Sequence, residues 1–464
     1  MEAVLTAAEH MKLFMEPSSV AIIGVPRQTG QGVNLVEHLQ GLGYAGRIYP
    51  INPHISELLG LKVYPSILDV PEPVDLAVVL THRSTVLPVV ADCVQKGIRA
   101  IVVSAGGFAE LDGEGQNLQT EMVRLARQGG ARIVGPNTFG VANAFHNFTS
   151  AFAHFQMNRV PVGMVCQSGL FFAGLPGLGL GKVIDLVNAC DVDFSDALEY
   201  YEQDEDVRVV LLHMEGVRNG RRFMEVARRA AARKPVIALK AGTTDEGSRV
   251  ARSHSASITG RSDVYRALFR SCGLITVEDM QEMADAATAL LHLPPMSGPR
   301  VAVMSFTIGG VVLFVDACQR WGLELARLSS ETKARISHLF LDWAPVENPV
   351  DLGAVFALSG QSQGEEFFTT LLAALLQDSN VDAVVFMSPT LLPFLDEYPR
   401  MVAELQGRYG NKPVVSWIIQ ARGNTDETVV NFDSAERVAR ALGHLWQYSR
   451  RQATAAHRSP PGIS

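Results

Sequence analysis

The chain contains 464 residues, 47% of them hydrophobic and 19% charged, and its formal net charge at pH 7 is −8. That length predicts about three domains of roughly 150 residues each, and the hydrophobic share excludes a disordered or fibrous protein. The mild acidic balance, without a block of lysine and arginine, argues against nucleic acid as the main partner.

The cysteines and the apolar segments indicate where the protein resides. Five cysteines are scattered along the chain without a CxxC pair or zinc-ligand spacing, which predicts free thiols in a reducing compartment and no metal site. The N-terminus lacks the apolar core and cleavage site of a signal peptide. The clearest apolar runs, such as 209–214 and 383–387, are too short to span a bilayer. We therefore expect a cytoplasmic protein without membrane contact.

Short runs rich in valine and isoleucine recur along the chain, each followed by a small residue and then an amphipathic stretch. This alternation predicts strand–turn–helix units and therefore an α/β fold with parallel sheets covered by helices on both faces. The predicted strands form three sets: 19–24, 47–52, 75–80, 100–104 and 132–135; then 162–166, 183–188, 207–214 and 235–240; then 300–305, 324–328, 383–387 and 413–417.

Turn-forming residues separate these sets at 157–161 and 293–299. A polar segment with two prolines follows the last set, which predicts a frayed end. The expected organisation is domains at 1–155, 156–296 and 297–450, and a flexible tail at 451–464.

The first strand leads into a glycine-rich turn that includes Gly24, Pro26 and Gly30, and a helix is expected from about residue 33. Backbone N–H groups at such a helix start attract anions, so a phosphate-bearing ligand is expected, although the turn is also compatible with a purely packing role. The spacing is not GxGxxG, and the second strand ends in Asn52 and Pro53 instead of the acidic residue that binds an NAD ribose. A nicotinamide-dependent oxidoreductase is therefore disfavoured.

The most informative stretch is 240–260 (KAGTTDEGSRVARSHSASITG), a predicted loop in which His254 lies among small residues. A neutral imidazole is a competent nucleophile toward a phosphoryl group, and Arg249 and Arg252 are candidates to hold anionic charge. Glu215 ends an upstream strand, where its carboxylate is expected to orient one ring nitrogen of the histidine. The alternatives are a structural histidine and a surface glutamate.

A second candidate phosphate cradle follows the first strand of the second set. Gln167, Ser168 and Gly169 occupy what is predicted to be a helix start. Backbone amides there favour a phosphate. The alternative is a plain strand-to-helix turn.

These residues together resemble the α-subunit of NDP-forming acyl-CoA synthetases, specifically the ADP-forming acetate–CoA ligases, and more distantly the α-subunit of succinyl-CoA synthetase. The resemblance follows nearly the whole chain in order. The matching segments are SVAIIG at 19–24, YPINP at 49–53, VDLAVV at 74–79, SAGGFAE at 104–110, IVGPNTFG at 133–140, QSG at 167–169, DVDFSD at 191–196, EG at 215–216, SH at 253–254 and ENPVDLG at 347–353.

The resemblance implies a Rossmann-type CoA-binding domain followed by two flavodoxin-like domains, and an acid–thiol ligase that interconverts acyl-CoA, phosphate and ADP with free acid, CoA and ATP. Acyl phosphate and a phosphohistidine are the implied intermediates. His254 would carry the phosphoryl group, and the Glu215 carboxylate would orient the His254 ring. The implied phosphate-binding residues are Gln167, Ser168 and Gly169, opposed by Thr307, Gly309 and Gly310. The implied CoA contacts are Gly24, Pro26, Gly30, Asn52 and Pro53, with Asn137 nearby.

The sequence departs from the family pattern at several of these positions. The usual SHTG is SHSA at 253–256, the third-domain glycine turn reads SFTIGG at 305–310, and two phenylalanines follow the QSG segment. Val25 and Pro26 replace a common Ala-Ser. Bulkier groups near a phosphate site imply a larger acyl substrate, altered efficiency or lost catalysis. The alternative to an active enzyme is a catalytically impaired regulatory homologue that binds CoA or acyl-CoA.

No ATP-grasp region is evident in the sequence. Two grasp subdomains would need roughly 200 further residues. We therefore expect the ATP or ADP, with its Mg²⁺, to bind a separate ATP-grasp β-subunit in a hetero-oligomer, while this chain handles CoA and a small carboxylic acid.

Overall fold

The computed structural model describes residues 5–26, 34–255, 261–340, 345–353, 364–388, 397–409, 412–418 and 429–458, with the backbone alone at 252–255 and 456–458. The chain divides into two compact units, Met1–Glu278 and Asp279–Ser464. The first two expected domains thus form one unit. The third expected domain accounts for most of the other.

The first sheet of the first unit is entirely parallel, with strand order β2-β1-β5-β6-β7. Its central strands are apolar and fully buried, because helices cover both faces. The strands are β1 (Ser19–Ile23), β2 (Arg47–Ile51), the small hairpin β3 (Glu57–Leu58) and β4 (Leu61–Lys62), β5 (Leu76–Val79), β6 (Ala100–Val103) and β7 (Arg132–Val134). The helices are α1 (Ala7–Met15), α2 (Leu35–Gly41), α3 (Arg83–Lys96) and α4 (Gly113–Gln128).

The second sheet has seven strands in the order β14-β13-β12-β10-β11-β8-β9. The first five are parallel, and β8 and β9 add an antiparallel edge. The strands are β8 (Val141–Asn143), β9 (Phe148–Thr149), β10 (Val162–Cys166), β11 (Lys182–Asp185), β12 (Val209–Met214), β13 (Val236–Lys240) and β14 (Ile275–Val277). The helices are α5 (Phe194–Gln203), α6 (Gly220–Arg233), α7 (Asp245–Ser255) and α8 (Ser262–Cys272).

The two sheets do not divide at residue 155, where the sequence places a boundary. The strands β8 and β9 precede that residue but pair into the second sheet. The reason is that Val141–Asn143 extends the free edge of β11, a pairing between distant segments that local pattern does not encode.

Asp191 is a fully buried ionic link between the two sheets of the first unit. Its carboxylate accepts hydrogen bonds from Arg132 at 3.0 Å and from the backbone N–H of Ile133 at 2.8 Å, and Arg127 lies 2.6 Å away. Arg132 and Ile133 belong to β7 of the first sheet, and Asp191 precedes α5 of the second.

We expect Asp191→Ala to lower the free energy of unfolding by about 3–5 kcal/mol, because it removes the buried acceptor shared by Arg127, Arg132 and the Ile133 N–H. Urea denaturation of the chain measures this. The matched control is Asp263→Ala, which breaks an exposed pair with Arg261 and should leave the free energy of unfolding nearly unchanged. Equal losses for the two variants would contradict the assignment.

The second unit is a parallel sheet with strand order β16-β15-β18-β19-β20, and β17 also pairs with β15. Its strands are β15 (Arg300–Ser305), β16 (Glu324–Leu325), β17 (Val350–Asp351), β18 (Ala383–Ser388), β19 (Val414–Ile418) and β20 (Val430–Asn431). Its helices are α9 (Met280–His292), α10 (Ile308–Trp321), α11 (Ser330–Ile336), α12 (Gly364–Gln377), α13 (Tyr398–Tyr409) and α14 (Ala435–Arg458).

Two boundaries of the second unit differ from those expected. Helix α9 belongs to this unit although it precedes residue 296, because buried Asp285 binds Arg437 at 2.7 Å and Arg440 at 2.9 Å on α14. Helix α14 also continues through 451–458, where a flexible tail was expected. Buried Ser449 anchors this helix by accepting a hydrogen bond from the backbone N–H of Met296 at 3.1 Å.

All five cysteines are buried free thiols. Within the described residues, no helix combines the length and apolar character needed to cross a membrane.

Candidate active site

The turn after β1 requires a glycine. Gly24 has a φ of +92°, and a Cβ atom there would lie 2.8 Å from the Thr81 Cγ2 atom. Its backbone N–H donates to the carbonyl of Ile51 at 3.0 Å, which joins the ends of β1 and β2. Any L-residue other than glycine would strain this turn, so packing alone accounts for Gly24, whether or not a ligand lies there.

Asn52 holds the same turn from inside the protein. Its side-chain amide donates to the Val25 carbonyl at 2.7 Å and its amide oxygen accepts from the His54 N–H at 2.9 Å. The side chain is buried, so its visible role is to fix the backbone beside Pro26. Pro26 is half-buried and Pro53 is exposed at this edge, while Gly30 lies outside the described residues.

The loops after β6 and β7 meet at the same edge. Asn137, with a φ of +64°, donates its backbone N–H to the Ala105 carbonyl at 2.9 Å. One carboxylate oxygen of Glu110 accepts from the N–H groups of Gly107 and Phe108 at 2.6 and 3.1 Å. The structure thus brings Gly24, Asn52 and Asn137 to the carboxyl edge of one sheet, which is where ligands bind in open α/β folds.

Gln167 cross-links three loops of the second sheet. Its amide group donates to the Val187 carbonyl at 3.0 Å, and its amide oxygen accepts from the N–H groups of Glu215 and Gly216 at 2.9 and 3.2 Å. The side chain is 2% exposed. Its carboxamide therefore fixes the backbone at Glu215, a role that the sequence pattern does not indicate.

The segment at Ser168 and Gly169 does not begin an α-helix, as the sequence predicts, but a five-residue 3₁₀ helix, Gly169–Ala173. Ser168 caps it by accepting from the N–H of Leu170 at 3.4 Å. A Cβ atom on Gly169 would lie 2.0 Å from the Phe139 ring. Phe171 and Phe172 are buried, and the 3₁₀ helix ends before Gly174, which has a φ of +83°.

Glu215 is buried at the end of β12 and lies near a second charged group, Lys240, at the end of β13. Burial lowers the pKa of Lys240, and the carboxylate of Glu215 partly offsets this. The Lys240 ammonium lies 4.9 Å from the centre of the Tyr265 ring, whose hydroxyl accepts from the Val217 N–H at 2.9 Å. Sequence reasoning missed Lys240 as a site residue, although a lysine ending the apolar run VIAL was a usable signal.

A second histidine, His213, precedes this position on β12. Burial, with a smaller contribution from Lys240, lowers the pKa of His213 to about 4, so its imidazole is neutral at pH 7. The ring packs 4.7 Å from that of Phe171. His213 is therefore part of the packing beneath the site.

His254 lies in the last turn of α7, where the sequence predicts a loop. Asp245 and Glu246 in the first turn favour this helix through its dipole, and Thr244 caps it by accepting from the Gly247 N–H at 3.0 Å. Arg249 is exposed on the helix. The side chains of Arg252 and His254 lie outside the described part of the chain.

Asp185, at the end of β11, is a buried carboxylate that links the second sheet to the carboxyl edge of the first sheet. It accepts hydrogen bonds from the Thr138 hydroxyl at 3.0 Å and the Phe139 N–H at 3.1 Å, which ties the loop after β7 to the end of β11. Burial raises the pKa of Asp185 to about 7. Sequence reasoning also missed this residue, because nothing local marks an aspartate at a strand end as buried.

Family models match two stretches of the chain: a CoA binding domain at 18–144 and a succinyl-CoA ligase like flavodoxin domain at 159–290. The α-subunit of ADP-forming acetate–CoA ligase I from Pyrococcus furiosus is 33% identical over 463 residues, which cover 95% of this chain and 98% of that subunit. This chain belongs to the family of ADP-forming acetate–CoA ligases. Members of this family are acid–thiol ligases. The predicted CoA-binding domain and the first of the two predicted flavodoxin-like domains are confirmed.

This acetate–CoA ligase family member covers different shares of two further related proteins. ADP-forming acetate–CoA ligase II from Archaeoglobus fulgidus is 36% identical over 379 residues, which cover 80% of this chain but only 56% of that protein. The dinucleotide-forming acetyl-coenzyme A synthetase 1 of Candidatus Korarchaeum cryptofilum, solved with phosphate and ADP, has a TM-score of 0.87 and 26% identity, covering 98% of this chain and 100% of that chain.

The glycine turn at 305–310 of this acetate–CoA ligase family member lies in the second unit, where Thr307 precedes helix α10. The Thr307 N–H donates to the Ser305 hydroxyl at 3.0 Å, which closes the turn. A Cβ atom on Gly310 would lie 2.9 Å from the Trp417 ring, so packing requires this glycine. Gly309 is exposed, with only the Thr307 hydroxyl at 4.0 Å from such an atom.

Proposed function

We propose that this chain is the α-subunit of an ADP-forming acyl-CoA synthetase, which converts acyl-CoA, phosphate and ADP into free acid, CoA and ATP. The observation that carries this proposal is that the loops at the carboxyl ends of the parallel strands of two sheets meet within one compact unit. Loops of the family's CoA-binding domain and of its ligase-like domain are hydrogen-bonded to one another there, and buried Glu215 lies at the end of β12.

The first chemical step is formation of acyl phosphate. A phosphate oxygen attacks the thioester carbonyl carbon, the C–S bond breaks, and CoA leaves as the thiolate. Backbone N–H groups near Ser168 and Gly169 are the proposed anion donors of the first unit. Thr307, Gly309 and Gly310 at the start of α10 remain predicted phosphate-binding residues of the second unit. For Gln167 we propose a positioning role through its side chain, since its carboxamide already binds the backbone of Glu215 and Gly216.

The second step transfers the phosphoryl group to His254. The neutral imidazole attacks phosphorus, the P–O bond to the acyl group breaks, and the carboxylate leaves with the electron pair. The other ring nitrogen keeps its proton and becomes part of a cationic phosphoimidazole. Glu215 is the proposed acceptor of that N–H, which both orients the ring and stabilises the developing positive charge.

The coenzyme is proposed to bind at the edge of the first sheet, at Gly24, Pro26, Gly30, Asn52 and Pro53, with Asn137 nearby. Asn52 would act mainly by holding the turn at Val25 and Pro26. The described residues contain no group of three or more histidine, cysteine or acidic side chains placed to hold a metal ion. We also propose that ADP or ATP, with Mg²⁺, binds an ATP-grasp β-subunit, in a cytoplasmic hetero-oligomer.

The proposal is tested by phosphoryl transfer that does not depend on the identity of the acyl group. The chain, purified with the ATP-grasp subunit that accompanies it, is incubated with ATP labelled on its γ-phosphate. We expect acid-labile, base-stable label on this chain, as a P–N bond requires. An unlabelled chain that still binds CoA would favour the regulatory homologue, and a chain that neither labels nor binds CoA would refute both readings.

A further inference from the structure

The loop at 186–190, directly after β11, is held in an unusual backbone conformation. Val187 has a φ of +39° and Ala189 a φ of +46°, both in the left-handed region that non-glycine residues rarely adopt. A β-branched valine is especially disfavoured there. Such strain persists only where surrounding contacts fix it, and it clusters at functional sites.

Three contacts fix this loop from the ligase side. The Val187 carbonyl accepts from the Gln167 amide group, whose oxygen binds the backbone of Glu215. The guanidinium of Arg218 donates to the Asn188 carbonyl at 3.2 Å and to the Cys190 carbonyl at 2.9 Å. The side chains of Gln167 and Arg218 therefore both connect the loop at 186–190 to the segment that carries Glu215.

The side chain of Asn188 fixes the loop from the coenzyme side. Its amide group donates to Glu110 Oε2 at 2.6 Å and to Gln119 Oε1 at 3.1 Å. The other oxygen of Glu110 accepts the N–H groups of Gly107 and Phe108, in the loop after β6. Asn188 is 4% exposed, so water does not substitute readily for these bonds.

We propose that Asn188 is a positioning residue that keeps the coenzyme-side loop at 104–110 in register with the segment carrying Glu215. This inference rests on the proposed function. A single buried amide joins the two edges: its side chain holds Glu110, and its main chain holds Arg218 and, through Val187, Gln167. Loss of the side-chain bonds frees the loop after β6 and removes one of the restraints that keep the strained backbone in place.

The chemistry of the Asn188–Glu110 contact provides a rescue test. Asn188→Asp places one carboxylate against another in a buried site, which is repulsive. The double variant Asn188→Asp with Glu110→Gln reverses the direction of the hydrogen bond, because the new glutamine amide donates to the new aspartate. Gln119 needs only to rotate its amide to donate as well.

We measure two quantities on the chain purified with its ATP-grasp subunit: the affinity for CoA by calorimetry and the rate of labelling from γ-labelled ATP. Asn188→Asp should weaken CoA binding and slow labelling, each by about tenfold or more. The double variant should return both to within about threefold of wild type. The matched control is Asn219→Asp, which caps α6 at the Arg222 N–H equally well and should change neither quantity.

The outcomes separate this inference from the proposed function. If Asn188→Asp has the same labelling rate and CoA affinity as wild type, the positioning role of Asn188 is overturned while the proposed function stands. A double variant that is no better than Asn188→Asp would also overturn it, since a merely structural asparagine predicts additive damage. An unlabelled wild-type chain would refute the proposed function, and the positioning role would fall with it.

Discussion

His254→Ala is expected to abolish the acid-labile phosphoryl label on this chain. Alanine has no nitrogen to attack phosphorus, and the segment at 240–260 contains no other histidine. Buried His213 is neutral, but it lies on β12 against Phe171. Because the P–N bond is the only covalent link proposed between phosphate and protein, the loss should be complete within detection, and synthesis of ATP should fail with it.

The measurement is label retained on the chain after base treatment and lost after acid treatment. His338→Ala is the control, because His338 is exposed in the second unit and its replacement should leave labelling at the wild-type level. If His254→Ala is labelled as well as wild type, the residue assignment is wrong even though the reaction class stands. Label that is stable to acid would instead indicate a hydroxyl ester.

Glu215→Gln is expected to slow labelling by roughly 10²-fold or more, because a neutral amide stabilises a cationic phosphoimidazole poorly and fixes its orientation less well. Glutamine has nearly the same shape as glutamate, and the backbone N–H of this residue remains bound to Gln167 at 2.9 Å. The loop should therefore keep its geometry. The removal of a negative charge near Lys240 should also lower the pKa of that ammonium further.

Rapid-quench measurement of the labelling rate separates this effect from binding. The control is Glu225→Gln, the same change at an exposed position on α6. A wild-type rate for Glu215→Gln would remove Glu215 from the mechanism. If CoA affinity falls as much as the labelling rate, the substitution instead disturbs the hydrogen-bonded loops that join the two sheets of the first unit.

The sequence predicts the strands well because their pattern is local. The run SVAIIG is expected as a strand at 19–24, and its first five residues form β1 at Ser19–Ile23. The run VVLLHM forms β12 at Val209–Met214. Fully buried parallel strands are continuous apolar runs, and the glycine or polar residue that ends each of them is visible in the same few positions. The ordered motifs also suffice to indicate the family, which the comparisons confirm.

The positions of the domain boundaries are predicted less well. The antiparallel pairing of β8 with β11 and the ion pairs of Asp285 with α14 join segments that are far apart in the chain. Turn-forming residues mark where the chain bends, but not which sheet or helix layer the next segment joins. Helix α7 and the 3₁₀ helix after Ser168 differ from expectation for a related reason: helix formation there depends on caps and on packed aromatic rings.

The sequence by itself determined the α/β architecture, the strand-end positions of Gly24, Asn52, Gln167 and Glu215, and the resemblance to acyl-CoA synthetases. Only the tertiary structure decided what those side chains contact. Gln167 reaches Glu215 across 48 residues and Asn188 reaches Glu110 across 78. Periodicity and motif spacing carry information about neighbours along the chain, whereas these bonds depend on strand order, which brings the loop ends of separate parallel strands to one edge.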